Sequence, residues 1–219
     1  MVLVKSYPPP PVDQREILRY AGCRRPGEEE LALLNSCLSE LGDSLRFQVC
    51  WDTFPLVLEG DDLNLSFART RSAALGQRLA GCGQVVLFAA TVGLGIDRLI
   101  SRYSRVSPSR ALFFQTIGTE RVESLCDVFC EEFRGQAAER GEATTPRFSP
   151  GYGDLPLSLQ TDIFRALDCS RKIGLSLNGS LLMTPSKSVT AMFGVSTGRT
   201  ARCPEGCASC GKKDCAFRG

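Results

Sequence analysis

The sequence predicts an α+β fold, because helical and strand patterns alternate along the chain without the regular strand–helix–strand repeat of a parallel α/β protein. Hydrophobic residues make up 43% of the 219 residues, which is enough for a substantial core. The formal net charge of +2 provides no general attraction to nucleic acid or to membranes.

In the first part of the chain, the sequence pattern predicts two helices and then a strand. Helices are expected at residues 13–20 and 28–41, and the second has acidic residues in its first turn, where the helix dipole favours them. Leucines recur in it at helical spacing: Leu31, Leu34, Leu38 and Leu41. Residues 45–51 alternate between apolar and polar side chains, which predicts a half-buried strand.

In the middle of the chain, the sequence pattern predicts a buried strand. Helices are expected on either side of it, at residues 63–79 and 96–103. Residues 84–92 form a nearly continuous apolar run, which is typical of a strand buried on both faces. Gly93 and Gly95 follow this strand as in a phosphate-binding loop, but the third glycine of a dinucleotide-binding fingerprint is missing. A tight strand-to-helix turn explains the two glycines equally well.

The longest helix is expected to begin at Pro108 and to end near residue 140, because Ser107-Pro108 is a typical helix start. Glu123 borders the apolar face of this helix, so it is either a solvated side chain or a carboxylate that lines a pocket. Beyond this helix, we expect a further helix at 157–167, a polar connection at 167–173, and strands at 175–183 and 188–195.

Composition and patterning exclude several classes of protein. The N-terminal residues do not form a signal peptide, and no uncharged apolar stretch reaches the length of about 18 residues that is typical of a membrane span. We therefore expect a cytoplasmic protein that binds neither membranes nor nucleic acid. Histidine is absent, which removes the commonest general base and the commonest neutral metal ligand.

Eleven cysteines fall into two groups. Seven are scattered in mostly apolar contexts and are expected to be small buried side chains rather than disulfides: Cys23, Cys37, Cys50, Cys82, Cys126, Cys130 and Cys169. The other four lie close together near the C-terminus: Cys203, Cys207, Cys210 and Cys215. Four convergent thiolates suit a zinc ion or an iron–sulfur cluster, and spacing does not distinguish the two. The alternative is an exposed, redox-labile tail.

Residues 147–156 combine a cation, two prolines and a turn-forming glycine in a segment that disfavours regular structure. Gly151 allows the backbone to turn or to approach another group closely. We expect a loop of fixed shape, in which Arg147 can hold a carboxylate and Tyr152 can present its ring to a flat ligand. A rigid turn between two elements is the simpler explanation.

This loop resembles a signature of a known family. The run from Arg147 to Tyr152 is similar to the Arg-x-x-x-Gly-Tyr signature of the C-terminal activation domain of cobalamin-dependent methionine synthase. Residues 177–189 resemble the second block of that domain, and the helix around Glu123 resembles the helix that carries an acidic contact to its ligand. The resemblance covers residues 45–196 and implies a mainly antiparallel twisted sheet flanked by helices.

The resemblance also implies a function in which the domain binds S-adenosylmethionine and contributes no acid–base catalyst. In that family, an electron reduces the oxidised corrinoid, and the methyl group of S-adenosylmethionine restores methylcobalamin. This chain would be a subunit of cobalamin-dependent methionine synthase, a methyltransferase, and would act in its reactivation. Its partners would be a cobalamin-binding methyltransferase protein and a flavodoxin-like or ferredoxin-like electron donor. The residues implied in S-adenosylmethionine binding are Glu123, Arg147, Ser149, Gly151 and Tyr152.

The predicted organisation has three parts. They are an N-terminal helical arm at residues 1–44, an activation-like domain at 45–200, and a cysteine-rich metal or cluster tail at 201–219. An iron–sulfur cluster in the tail would deliver the reducing electron. The aromatic residue that follows the second block in the family has no clear counterpart at residues 196–199. The alternative function is an iron–sulfur or zinc module for docking and electron transfer that does not bind S-adenosylmethionine.

Overall fold

A computed structural model of the chain describes residues 1–60 and 62–197. The strands are β1 (Leu3–Tyr7), β2 (Phe47–Pro55), β3 (Val57–Glu59), β4 (Asp62–Asn64), β5 (Arg69–Arg71), β6 (Gln84–Thr91), β7 (Glu142–Thr144), β8 (Ser176–Leu177), β9 (Met183–Thr184) and β10 (Ser188–Thr197). The helices are α1 (Gln14–Tyr20), α2 (Glu28–Leu41), α3 (Ala73–Leu79), α4 (Gly95–Tyr103), α5 (Pro108–Glu139), α6 (Gln160–Leu167) and α7 (Cys169–Ile173).

The main sheet has five strands in the order β1-β2-β6-β10-β7, and every neighbouring pair is antiparallel. Strand β6 lies at its centre, where the apolar run after Gln84 is buried on both faces. Its partner β10 pairs in register from Ser188 with Thr91 to Val195 with Gln84. The predicted α+β fold with a mainly antiparallel sheet flanked by helices is confirmed.

One face of the sheet packs against α1, α2, α4 and α5. Aromatic rings occupy the middle of this layer, and the ring centroids of Phe88 and Phe129 are 4.9 Å apart. Helix α5 approaches α4 closely at Gly118, where an added Cβ atom would lie 3.0 Å from Ile96 Cγ1. Glycine suits this crossing because an added side chain would displace Ile96 or Lys187, whose Cγ atom would lie 2.8 Å from the added Cβ.

The opposite face packs against α3, α6 and α7, with residues of the small β3-β4-β5 sheet at its margin. All seven described cysteines are free thiols, and five of them are buried: Cys37, Cys50, Cys82, Cys126 and Cys169. The expectation of buried cysteines is confirmed for those five, while the remaining two are partly exposed. Within the described residues, no helix is both long and apolar enough to cross a membrane.

The N-terminal prolines form a strap that is held by a buried ion pair on α5. Arg121 donates from Nη1 to the carbonyl oxygen of Pro10 at 2.6 Å and from Nη2 to that of Pro11 at 2.7 Å. Glu120 pairs with Arg121 at 2.5 Å and accepts a hydrogen bond from the backbone N–H of Asp13 at 3.0 Å. The exposed fractions of the two charged side chains are only 2% and 3%, so the strap covers this pair.

Three predicted elements differ from the structure. The helix predicted at 63–79 is wrong in its first part, because residues 62–71 form β4 and β5 and the helix begins only after Ser72, whose hydroxyl caps it. The polar connection predicted at 167–173 contains α7, which buries Cys169 and Ile173 against the sheet. The strand predicted at 175–183 is reduced to the two-residue strands β8 and β9 around a turn.

Candidate functional site

The site lies at the edge of the main sheet, where residues 145–148 continue from β7 along β10. Thr145 donates its backbone N–H to the carbonyl of Gly194 at 3.0 Å, and Phe148 donates to that of Met192 at 2.8 Å. Because side chains alternate between the faces of an extended segment, Phe148 packs in the layer of α3 and α6 while Arg147 points to α5.

Arg147 pairs with two carboxylates that lie one turn apart on α5. Its Nη2 atom is 2.7 Å from Glu123 Oε2 and 3.1 Å from Asp127 Oδ1. Residues four apart lie on the same helix face, so both carboxylates can reach one guanidinium. Burial raises the pKa of Glu123, against the lowering effect of the Arg147 charge. We call Glu123, Asp127 and Arg147 the Arg147 cluster.

One donor of this cluster has no partner. The Nη1 atom of Arg147 is buried and makes no hydrogen bond with any described residue. A buried guanidinium nitrogen without an acceptor carries a desolvation cost, which an incoming carboxylate would remove. The Arg147 guanidinium thus keeps a hydrogen-bonding capacity that Glu123 and Asp127 do not use.

A cavity of about 190 Å³ opens beside the Arg147 cluster. It is lined by Asp127, Cys130, Arg134, Thr144, Thr145, Pro146, Arg147 and Phe193. Phe193 provides an aromatic wall from β10. Burial raises the pKa of the Cys130 thiol to about 11, which favours the protonated thiol at neutral pH. The cavity joins an apolar wall to two arginines, Arg134 and Arg147, and to the carboxylate of Asp127, which suits a zwitterionic group.

The rest of the predicted loop forms a compact turn after Arg147. The Gly151 N–H donates to the Leu155 carbonyl at 2.9 Å, and the Tyr152 N–H donates to the Ser149 carbonyl at 3.3 Å. Gly151 has φ = +89°, a backbone conformation that favours glycine over residues with a side chain. The ring of Tyr152 is exposed.

Asp154 attaches this turn to α3. Its carboxylate accepts hydrogen bonds from the backbone N–H of Ala73 at 2.7 Å, from that of Ala74 at 3.3 Å, and from the Ser72 hydroxyl. Asp154 thus caps α3 from a distant part of the chain. Its carboxylate accepts hydrogen bonds from backbone N–H groups that have no partner within the helix. The Ser72 hydrogen bond is the main reason that the pKa of Asp154 lies below its ordinary value.

The structure brings some of the predicted site residues together. Glu123 and Arg147 are in contact, and Ser149, Gly151 and Tyr152 follow in the adjoining turn. Sequence reasoning missed three residues: Asp127, Asp154 and Phe193. The spacing from Glu123 to Asp127 on a predicted helix was a usable signal for the first, whereas the other two depend on strand register and on the docking of the turn.

The two glycines after β6 serve close packing. A Cβ atom on Gly95 would collide with the carbonyl oxygen of Ser44, and one on Gly93, which has φ = +78°, would lie 3.4 Å from Arg46 Cβ. These contacts explain why both positions are glycine. They favour the tight strand-to-helix turn over a phosphate-binding loop.

The predicted metal ligands Cys203, Cys207, Cys210 and Cys215 lie outside the described residues. Over residues 1–60 and 62–197, no group of three or more cysteine, aspartate or glutamate side chains is arranged to hold a metal ion. A zinc ion or an iron–sulfur cluster at the C-terminal cysteines stays a prediction.

Comparison with known proteins identifies the fold. No protein-family model and no curated protein sequence matches the chain. Among solved structures, the chain is similar to the MetH reactivation domain in a crystal structure bound to AdoHcy, with a TM-score of 0.63 and 15% sequence identity. The match covers 89% of this chain and 78% of that one. The resemblance stated from the sequence is therefore confirmed at the level of the fold.

Proposed function

We propose that this protein binds S-adenosylmethionine and acts in the reductive reactivation of a cobalamin-dependent methyltransferase of the methionine synthase type. The observation that carries the proposal is the buried, unpartnered Nη1 atom of Arg147 beside a cavity and two carboxylates. The fold supports it, because a domain with this fold has been crystallised with AdoHcy.

The dimensions of the site suit one end of the ligand. A cavity of about 190 Å³ has room for the amino-acid end of S-adenosylmethionine but not for the nucleoside. The carboxylate of the ligand would bind Arg147, and its ammonium group would donate to Glu123. The adenosyl end would then lie over the adjoining turn that contains Ser149 and Gly151.

The chemistry assigned to the site needs positioning rather than proton transfer. S-adenosylmethionine transfers its methyl group, formally as a cation, to the reduced corrinoid and leaves as S-adenosylhomocysteine. No proton moves in that transfer. The residues of this chain would hold the methyl donor in one orientation, which lowers the entropic part of the barrier. Tyr152, whose ring is exposed, would lie between the sulfonium and the corrin. A chain without histidine is adequate for this role.

The cobalt and the electron would come from elsewhere. We propose that the corrinoid is carried by a separate cobalamin-binding methyltransferase protein. The electron would come from a flavodoxin-like or ferredoxin-like donor, directly or through a cluster held by Cys203, Cys207, Cys210 and Cys215. Anaerobic purification followed by iron, sulfide and zinc analysis tests the cluster, and a preparation without iron or visible charge-transfer absorption would contradict an iron–sulfur centre.

Ligand binding tests the core of the proposal. Titration calorimetry should show binding of S-adenosylmethionine to the intact chain and a loss of affinity of at least about tenfold in Arg147→Ala, because a charge-assisted pair is removed. Arg165→Ala is the matched control, since Arg165 lies on α6 and its ion pair with Asp162 is remote from the site. Unchanged affinity in Arg147→Ala would contradict the proposal and would favour a docking module that does not bind this ligand.

Reconstitution tests the reaction. The purified protein is mixed with a candidate cob(II)alamin protein, a reductant and S-adenosylmethionine, and the visible spectrum is recorded. We expect the methylcobalamin spectrum only when all four components are present. Its appearance at the same rate without this chain would contradict the assigned role.

A further inference from the structure

The Arg147 cluster holds more negative charge than its guanidinium can neutralise. Two carboxylates, Glu123 and Asp127, share the single Nη2 atom of Arg147 at 2.7 and 3.1 Å. The other cation at the cavity, Arg134, is already paired with Glu131 at 2.6 Å. With these groups ionised, the cluster and the adjoining pair of Arg134 and Glu131 carry a net charge of −1, since three carboxylates are counted against two arginines.

This excess charge distinguishes two ligands of nearly identical shape. S-adenosylmethionine carries a sulfonium in addition to its zwitterionic amino-acid end, so its net charge at neutral pH is positive. S-adenosylhomocysteine has a neutral thioether in the same place and no net charge. A negative cluster attracts the first ligand more than the second, and the two ligands differ otherwise by one methyl group.

We infer that Asp127 is a specificity-determining residue, whose carboxylate makes the site favour the cationic methyl donor over the neutral demethylated product. The inference rests on the proposed function and deepens it. A site that binds the product more weakly than the donor releases it after methyl transfer and limits product inhibition.

The geometry assigns this role to Asp127 rather than to Glu123. Glu123 makes the shorter contact with Arg147, and its side chain is more buried, so it also fixes the position of the guanidinium. Asp127 makes the longer contact and is 72% exposed, yet it lines the cavity. Its charge can therefore be removed while Glu123 still holds Arg147 in place.

The expected effect is modest, because water and salt screen an exposed carboxylate. We expect the preference for S-adenosylmethionine, measured as the ratio of the two dissociation constants, to fall by about two- to fivefold when the charge is removed. The preference should also decrease as the salt concentration rises, since the interaction acts through partly solvated charges.

The experiment compares calorimetric dissociation constants for S-adenosylmethionine and S-adenosylhomocysteine in four proteins. These are the intact chain, Asp127→Asn, the charge-conserving Asp127→Glu, and the remote control Asp162→Asn. We expect a reduced ratio only in Asp127→Asn, with the ratio retained in Asp127→Glu. If Asp127 had a purely structural role, its substitution would weaken the binding of both ligands equally. The ratio of the two dissociation constants would then be unchanged.

The outcomes separate this inference from the proposed function. If both ligands bind and the ratio in Asp127→Asn equals that of the intact chain, the inference is wrong while ligand binding stands. If the intact chain binds neither ligand, the proposed function itself fails. An equal reduction of the ratio in Asp162→Asn would also overturn the inference, because the effect would then reflect total charge alone.

Discussion

The position of the Arg147 guanidinium depends on groups that are distant in sequence and adjacent in space. Its partners lie on α5, which is separated from Arg147 by strand β7, and its buried Nη1 atom has no acceptor among the described residues. That Arg147 can hold a carboxylate was predictable from the loop that contains it. Its pairing with Asp127 was not, because that contact depends on which face the extended segment presents to α5.

Glu123 leads to a prediction about pH. Burial raises the pKa of this carboxyl group, so it takes up a proton at a higher pH than an ordinary glutamate. The protonated group no longer carries the charge that attracts the ammonium of the ligand. We therefore expect affinity for S-adenosylmethionine to fall as the pH is lowered from neutral through the raised pKa.

The measurement is calorimetry over a series of pH values with the intact chain and Glu123→Gln. The variant lacks the titrating group, so its weaker affinity should vary less over the same range. A profile of the same shape in both proteins would assign the pH dependence to another group.

At the scale of elements, the turn after Arg147 and helix α3 form one unit. Asp154 caps α3 through Ala73 and Ala74, and it accepts from the Ser72 hydroxyl, which itself accepts from Leu75 at 3.1 Å. The position of the turn is thus coupled to the start of a helix on the opposite face of the sheet from α5. The helix predicted at 63–79 started too early, although Ser72 is a typical N-cap residue and its hydroxyl accepts from the backbone N–H of Leu75.

Asp154→Ala should lower the thermal stability at neutral pH, because the backbone N–H groups of Ala73 and Ala74 at the start of α3 lose their acceptor. The pKa of Asp154 lies below the ordinary value of 3.8, so its contribution is present above that value and is lost as the pH falls through the lower folded-state pKa. The melting temperatures of the intact chain and the variant should therefore converge in strong acid. Thermal unfolding, monitored by circular dichroism at neutral pH and in strong acid, checks this.

Ser72→Ala is the companion variant for this cap. It removes the hydroxyl that bridges Asp154 and Leu75, and its effect should add only in part to that of Asp154→Ala, because the two variants both lose the hydrogen bond between Ser72 and Asp154. Fully additive losses in the double variant would contradict the shared cap.

At the scale of the whole molecule, residues 1–44 are integrated with the rest of the chain. Strand β1 pairs with β2 from Leu3 with Trp51 to Tyr7 with Phe47, and α1 and α2 pack in the same layer as α5. The predicted division into an arm, a domain at 45–200 and a tail at 201–219 stays a prediction, and its last part lies outside the described residues.

The proline strap provides a prediction at this scale. Arg121→Met would leave Glu120 buried and unpaired and would remove the donors to Pro10 and Pro11. We expect a loss of about 3–5 kcal/mol in the free energy of unfolding, which is typical when one partner of a buried pair is removed. Urea denaturation of the variant measures it.

The double variant Glu120→Gln with Arg121→Met serves as the control for the strap. It removes the unpaired charge, so it should be more stable than Arg121→Met alone. Equal instability of the single and double variants would indicate that the strap contacts, and not the buried charge, account for the loss.

The sequence by itself determined the fold class, the central strand β6, the long helix α5 and the loop that carries Arg147. These depend on local patterns: a continuous apolar run, a helical periodicity with a proline start, and a signature of fixed spacing. Such patterns need no knowledge of which segments become neighbours.

Only the tertiary structure decided how the site is assembled. The register of residues 145–148 on β10 turns Arg147 toward Glu123 and Asp127 and places Phe193 at the cavity. The docking of Asp154 on α3 then positions the turn that follows. The physical reason is that a shift of one residue in strand register reverses the face on which every side chain lies, and that choice is made by the packing of distant segments.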